Sequence, residues 1–267
     1  MFLNTLSLES NVINQYTISS PLDQFEVTNL IGLNAPILGY LNLSLTNLGL
    51  YSLIVLSVIL SLHFVTTNNN RIIPSKWSIA LESFFTSINS MVRDQIGSAN
   101  EIYLPLIYSL FVFIVISNLT GNIPYNYTIA TSIIVSIGLS FTIFMGVTIL
   151  ALYRHRLHFF AFFVPSGTPL ALVPLLVLIE LVSYMARAVS LGVRLFANMT
   201  AGHTLLKILS TFLGQLFSSS ILVSILTLIP FSIFIGLIGL ELAVSLIQAY
   251  VFCILTCSYI KDAVYLH

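Results

Sequence analysis

Charged residues divide the chain into long uncharged runs. Residues 27–70, 102–153, 157–179, 208–240 and 242–260 contain no Asp, Glu, Lys or Arg. A helix needs roughly 20 apolar residues to cross ~30 Å of hydrocarbon. The first run predicts one crossing, at 37–65. The second has room for two and is interrupted by NLTGNIPYNY (118–127), where Gly121, Pro124 and the Asn and Thr residues favour a turn. A helical hairpin is therefore expected over 102–153, running out over 102–119 and back over 128–153. Uninterrupted apolar runs of this length do not fit the short alternating strands of a membrane barrel. Residues 76–96 carry a different pattern. Trp77, Leu81, Phe84, Ile88, Met91 and Val92 share one helical stripe, with Lys76, Glu82, Asn89 and Arg93 away from it. This predicts an amphipathic helix lying at the membrane interface rather than a crossing.

The C-terminal third mixes apolar periodicity with isolated charge. Nothing strongly breaks a helix between Pro174 and Phe217, yet Glu180, Arg187, Arg194, His203 and Lys207 lie inside the segment. As helix, 168–217 would extend ~75 Å, more than twice the bilayer core. It holds either two helices or one lying far from the membrane normal. SSS (218–220) turns the chain. Residues 221–260 then offer ~60 Å of further helix, with Glu241 inside and a kink expected at Pro230. The expected fold is one all-α integral membrane domain, with five crossings and one interfacial helix.

Composition narrows the class. Of 267 residues 57% are hydrophobic and 7% are charged, against about 25% charged in soluble domains. The mean hydropathy is +1.02. A soluble enzyme and a disordered chain are excluded. Nine basic residues cancel nine acidic ones, so no positive field exists to hold nucleic acid. Arg71, Lys76, Arg93, Arg154, Arg156 and Lys261 all fall on one side of a five-span chain. The positive-inside rule then puts the N-terminus outside and the C-terminus inside. No Lys or Arg precedes Arg71, so neither a basic transit peptide nor a signal n-region is recognised, and the chain is expected to be made where it is inserted. Cys253 and Cys257 are one helical turn apart in an apolar span and read as packing residues. Internal repeats are not evident.

Charges left inside the membrane need a reason, because a charge at mid-bilayer costs at least ~2.5 kcal/mol. Lys207 reads as a cation reaching toward a helix end. Glu180, Arg187 and Arg194 stand seven apart, and each step of seven drifts only about 20°, so they share one stripe. Glu180 and Arg187 offer an ion pair, though two turns is an imperfect spacing for contact. Arg194 has no carboxylate within a turn, so its counter-charge must come from another helix or another subunit. Glu241 and Gln248 share a face of the last segment. Ala188 with Gly192, and Ala197 with Ala201, are small pairs four apart that let a neighbouring helix approach. His203 lies about half a turn round from Arg194, and Asp262 reads most simply as a surface residue. Titratable groups at different depths, separated by a guanidinium that cannot lose its proton, point to proton handling. An arginine between two blind wires blocks direct flow while still attracting a carboxylate.

SLGVRLFANMTAGHTLL (190–206) closely resembles the signature of subunit a of the F-type ATP synthases. FVPSGTPLALVPLLVLIELVSY (163–184), IQAYVFCILTCSYIKDAVYLH (247–267) and SPLDQFE (20–26) also resemble it, the last two in its mitochondrial, fungal branch. Residues 1–19 fall outside the likeness and are read as a candidate leader. The resemblance implies that Arg194 faces the proton-carrying carboxylates of a rotating c-ring, with Asn198 and Gln248 as polar companions. It implies that His203 and Glu241 form the half-channel open to the outer side. Glu180 and Asp262 would belong to the inner half-channel, which overrides the surface reading of Asp262. It further implies that 168–260 is a strongly tilted hairpin. The implied partners are the c-ring, the peripheral stalk, other membrane-sector subunits and the lipid bilayer. The implied location is the mitochondrial inner membrane, with the N-terminus in the intermembrane space and the C-terminus in the matrix. The subunit is expected to be non-catalytic, with no cofactor, metal or nucleic acid. Two other classes fit less well. A haem-bearing electron carrier needs paired intramembrane His, and only His63 and His203 are candidates. A secondary transporter usually shows repeated halves.

Overall fold

A computed structural model describes residues 20–37, 41–67, 75–123, 126–156, 159, 172–219 and 221–265. The expected leader, 1–19, lies outside them.

The described chain begins with a feature that the hydropathy pattern hid. Strands β1 (Asn29–Ile37) and β2 (Leu41–Thr46) pair antiparallel, with Asn29 opposite Thr46 and Leu33 opposite Leu43. The first membrane helix, α1 (Asn47–Thr67), therefore starts at 47 rather than 37. Two local features set that start. Thr46 Oγ1 accepts the Gly49 N–H at 3.3 Å, the spacing of a helix N-cap. Asn47 ties the helix end to the preceding chain, its N–H donating to Thr28 O and its Nδ2 to Glu26 O, both at 3.0 Å. Upstream, Pro36 lacks the N–H that a helix interior needs.

Helix α2 (Lys76–Ile96) is the amphipathic one. Ser75 caps it by accepting the Ser78 N–H, and Gly97 ends it at φ 92°. Its apolar stripe is split between two surroundings. Ile88, Met91 and Val92 are buried, with Ile96 beyond them, whereas Trp77 and Phe84 are exposed. Arg93 pairs with Glu101 at 2.7 Å on the far side of the Gly97 turn.

Helices α3 (Leu104–Gly121) and α4 (Ile133–His155) form the hairpin. The turn is tight at Gly121, where a Cβ would collide with the Thr128 side chain. The return helix begins only at Ile133, because Ile129–Thr131 forms a 3-10 turn stabilised by Thr131 Oγ1 donating to Thr128 O.

Helix α5 (Val173–Ser219) is continuous over 47 residues. The two-helix alternative for this segment is thereby excluded. Short helix α6 (Ile221–Leu226) and long helix α7 (Leu228–Val264, 37 residues) follow. The interruption falls at Thr227, not at Pro230. Proline sits in the first turn of α7, where its missing N–H is harmless; its ring conflicts with the carbonyl four residues earlier, at Leu226. At 1.5 Å per residue α5 extends ~70 Å and α7 ~55 Å, both beyond the thickness of the hydrocarbon.

Five helices among the described residues are long and apolar enough to cross a membrane, over Asn47–Thr66, Ser98–Gly121, Ile133–His155, Val173–Ser218 and Val223–Val264. The core lies where α3, α4, the middle of α5, the second half of α7 and the end of α2 meet. Ile107, Ile114, Leu191, Met199, Phe252 and Cys253 are almost fully buried there. Cys253 and Cys257 are both free and buried. Helix α7 buries residues only from Glu241 onward, so the far end of the α5–α7 hairpin protrudes from the bundle. Helix α1 stands off to one side, fully burying only Val55. It touches the rest through Tyr51 Oη to Asn126 Oδ1 (3.4 Å) and His63 Nε2 to Tyr108 Oη (3.2 Å).

Candidate functional site

Helices α5 and α7 run antiparallel. As residue numbers rise along α5 through 187, 198 and 203, their partners on α7 fall through 262, 248 and 241. Every polar group singled out in the C-terminal third except Lys207 lies along this seam or beside it.

At the end nearest the α3–α4 turn, His203 Nδ1 approaches Glu241 Oε1 at 3.2 Å, with side-chain exposures of 13% and 7%. His203 Nε2 meets Thr128 Oγ1 at 3.1 Å. Gly202 makes room for the carboxylate, since a Cβ there would lie 2.9 Å from Glu241 Oε1. One turn along α7, Ser245 Oγ donates to Glu241 O at 2.9 Å. Asn122 Nδ2 donates to Ser245 Oγ at 2.8 Å, and Asn118 Nδ2 to Ser245 O at 3.2 Å. Several buried atoms here make no hydrogen bond to a described residue: Glu241 Oε2, Asn118 Oδ1, Asn122 Oδ1 and Gln248 Nε2. Buried polar groups normally find partners, so this concentration of unmet capacity marks the region as a polar cluster in an otherwise apolar bundle.

Midway along the seam, Asn198 Nδ2 donates to Gln248 Oε1 at 2.9 Å. Arg194, one turn earlier, is exposed. It forms no ion pair among the described residues. Ala197 and Ala201 on the same face are exposed too, whereas Ala188 and Gly192 are buried. The two small pairs thus face different neighbours. Gly192 takes the intrachain one, lying so close to α4 that a Cβ would sit 2.9 Å from Ser136 O and 3.0 Å from Ile137 Cα.

At the opposite end, Arg187 stands between two acids. Its Nη2 is 3.7 Å from Glu180 Oε1 and its Nη1 3.5 Å from Asp262 Oδ2. All three side chains are about one-third exposed. Tyr184 and Tyr259 flank the group in a small cavity with Val147, Ala151 and Ala263. The two-turn spacing of Glu180 and Arg187, imperfect in an ideal helix, is bridged by the length of the arginine.

The seam therefore carries a His–Glu pair at one end and an acid–Arg–acid cluster at the other. Arg194 lies between them, ~10 Å of helix from Arg187 and ~14 Å from His203. Sequence reasoning missed Thr128, Asn118, Asn122 and Ser245 as site neighbours. Asn118 and Asn122 were read only as turn formers, and Thr128 only as the start of the returning span; Ser245 carried a signal, lying one turn from Glu241 on the same face. Lys207 departs from its sequence reading. Helix α5 runs on to Ser219, so Lys207 lies ~18 Å from the helix end.

Residues 49–261 match the family described as ATP synthase A chain. The chain belongs to that family. It is 67% identical to "ATP synthase subunit a" of Mycosarcoma maydis over 252 residues, covering 94% of this chain and 99% of that one. The subunit a of Emericella nidulans is 50% identical, covering 94% and 98%. That of Saccharomyces cerevisiae is 46% identical, covering 96% and 99%. With five long apolar helices among the described residues, and as a member of that family, the chain is a multi-pass membrane protein and a subunit of the ATP synthase membrane sector.

Proposed function

We propose that this chain is the proton-translocating stator subunit of the ATP synthase membrane sector, a non-catalytic part that couples proton flow to rotation of a neighbouring c-ring. One observation carries the reading. The seam carries two titratable clusters at opposite ends of a bundle, with an exposed guanidinium between them that has no ion-pair partner among the described residues.

A proton from the outer side passes the Asn122, Thr128 and His203 groups to Glu241 and neutralises a rotor carboxylate. The neutral rotor site then enters lipid, where the ionised form would meet the intramembrane charge penalty. After most of a turn it reaches the inner vestibule and gives its proton toward Glu180 and Asp262. Arg194 attracts the ionised carboxylate and favours proton loss. Being permanently charged, it also keeps the two vestibules from joining into a leak. Each proton crossing 100 mV supplies about 2.3 kcal/mol. The unmet hydrogen-bonding capacity around Glu241 supports the outer vestibule, because buried polar groups without protein partners commonly take ordered water.

The orientation rests on charge. The acid–Arg–acid cluster adjoins Lys261 and the end of α4 that carries Arg154, whereas the α3–α4 turn beside His203 has no Lys or Arg. The positive-inside rule makes the cluster end the matrix side and leaves the N-terminus in the intermembrane space of the mitochondrial inner membrane. Helix α2 lies on the matrix surface, and the α5–α7 hairpin is tilted around the ring. The peripheral stalk and other membrane-sector subunits cover further surface of this chain.

The test is Arg194→Ala in assembled complex. Coupled ATP synthesis is expected to vanish while a proton leak or passive ring motion remains. Normal ATP-driven pumping by the variant overturns the role.

A further inference from the structure

The acid–Arg–acid cluster contains a residue to which the translocation reading gives no task. Arg187 holds two carboxylates from two helices at once, Glu180 of α5 and Asp262 of α7, at 3.7 and 3.5 Å. Both separations are longer than a charge-assisted hydrogen bond of about 2.8 Å. The guanidinium is therefore shared between the acids rather than locked to either. With all three groups ionised the cluster carries one net negative charge, so it accommodates one proton without becoming cationic.

We infer that Arg187 is a positioning residue for proton release: it joins Glu180 and Asp262 into one unit that accepts a single proton and lets it go to the adjoining aqueous side. The inference rests on the function proposed above and assigns to this arginine the setting of proton affinity there. A cation beside a carboxylate favours its ionised form, and here one guanidinium stands beside two acids. Without the guanidinium the pair would carry two negative charges and hold a proton more tightly, delaying its release.

Among the described residues, no other cation pairs with either acid. On α5, Tyr184 lies beside the cluster, and Arg194 is the next cation along the helix. On α7, Tyr259 lies within electrostatic reach of Arg187, Arg194 and Asp262, while Lys261 is exposed. The titratable groups of α4 nearest this end are Tyr153, Arg154 and His155. From α2 and the following turn, packed on α7, Arg93 and Glu101 are already paired, and Asp94 is exposed.

The experiment uses assembled ATP synthase in liposomes. Proton flux through the membrane sector, driven by a fixed potassium diffusion potential, is measured per assembled complex while pH is varied only on the face bearing the C-terminus. Arg187→Gln is expected to lower flux about tenfold at neutral pH on that face, with recovery at alkaline pH, moving the half-maximal point up by about 1 pH unit. Arg187→Lys, which keeps the charge, is expected to move it less. The double variant Arg187→Gln with Asp262→Asn has the native net charge and is expected to return the half-maximal point toward native. A profile for Arg187→Gln superimposable on native overturns the inference. If that single variant fails to assemble, a double variant whose profile stays shifted overturns it instead. A merely structural role would change the amount of complex but not the pH profile. Glu180→Gln and Asp262→Asn separate this inference from the reading beneath it: unchanged flux in both, alone and combined, sinks the inner-vestibule role of the acids, whereas altered flux there with a native Arg187→Gln profile sinks only the role of Arg187.

Discussion

Adding one methyl at position 192 tests whether the α4–α5 crossing sets where Arg194 stands. A Cβ on Gly192 would lie 2.6 Å from Ser140 Oγ, 2.9 Å from Ser136 O and 3.0 Å from Ile137 Cα. The hydroxyl can rotate away. The other two atoms are helix backbone and move only with the helix. To reach ordinary contact, α5 must withdraw from α4 by about half an ångström, and overpacking of this kind costs about 1–3 kcal/mol. Position 192 is two residues from Arg194, so the withdrawal shifts the guanidinium too. Gly192→Ala is therefore expected to lower the thermal stability of the assembled complex and to reduce coupled ATP synthesis. Gly138→Ala is the control, because a Cβ there meets nothing within 4 Å and alanine is the better helix former by about 1 kcal/mol. Thermal unfolding and ATP synthesis are measured on both. Equal stability and equal coupling in the two variants refute the close crossing.

Two further outcomes are expected. His203→Ala combined with Glu241→Ala should leave assembly intact but slow proton uptake from the outer side, on the order of 100-fold by analogy with loss of a positioned proton-transfer group; an unchanged synthesis rate at low driving force argues against their role. Gly97 has φ 92° and ψ 156°, a region open essentially to glycine alone, so Gly97→Ala should cost about 1–3 kcal/mol. The check is the midpoint of thermal unfolding, with Gly138→Ala again as reference, and a midpoint equal to the reference refutes the strain.

The apolar crossings were legible because the hydrocarbon imposes length on a helix whatever it packs against. That requirement says nothing about where a helix stops being needed. The run from 27 to 70 has no charge, so the hydropathy pattern could not separate strands β1 and β2 from helix α1; the signal was Thr46, a capping residue three positions before Gly49. The same holds at Pro230, where the pattern marks a disturbance and backbone sterics place it at Leu226 and Thr227. For the site, spacing of seven put Glu180, Arg187 and Arg194 on one stripe. It could not show that Asp262 from α7 would close on Arg187, because that pairing depends on the antiparallel register of two helices 75 residues apart in sequence at this point. Nor could it show that Thr128 would reach His203 across the same interval of 75 residues.

The treatment of the two arginines shows why their stripe matters. Arg187 and Arg194 stand seven residues apart, yet one is matched by two acids of its own chain and the other by none among the described residues. Burial explains the difference. The neighbours of Arg187 include the α4 and α7 surfaces that hold the bundle together, whereas Arg194 shares its exposed face with Ala197 and Ala201. A cation on an apolar, lipid-facing surface is costly unless a carboxylate comes to it, and small side chains beside it let another helix bring one close. An arginine already satisfied within the chain would have little attraction left for a passing acid. The arrangement thus keeps one guanidinium committed and leaves the other available, which is the separation of tasks that the proposed function requires.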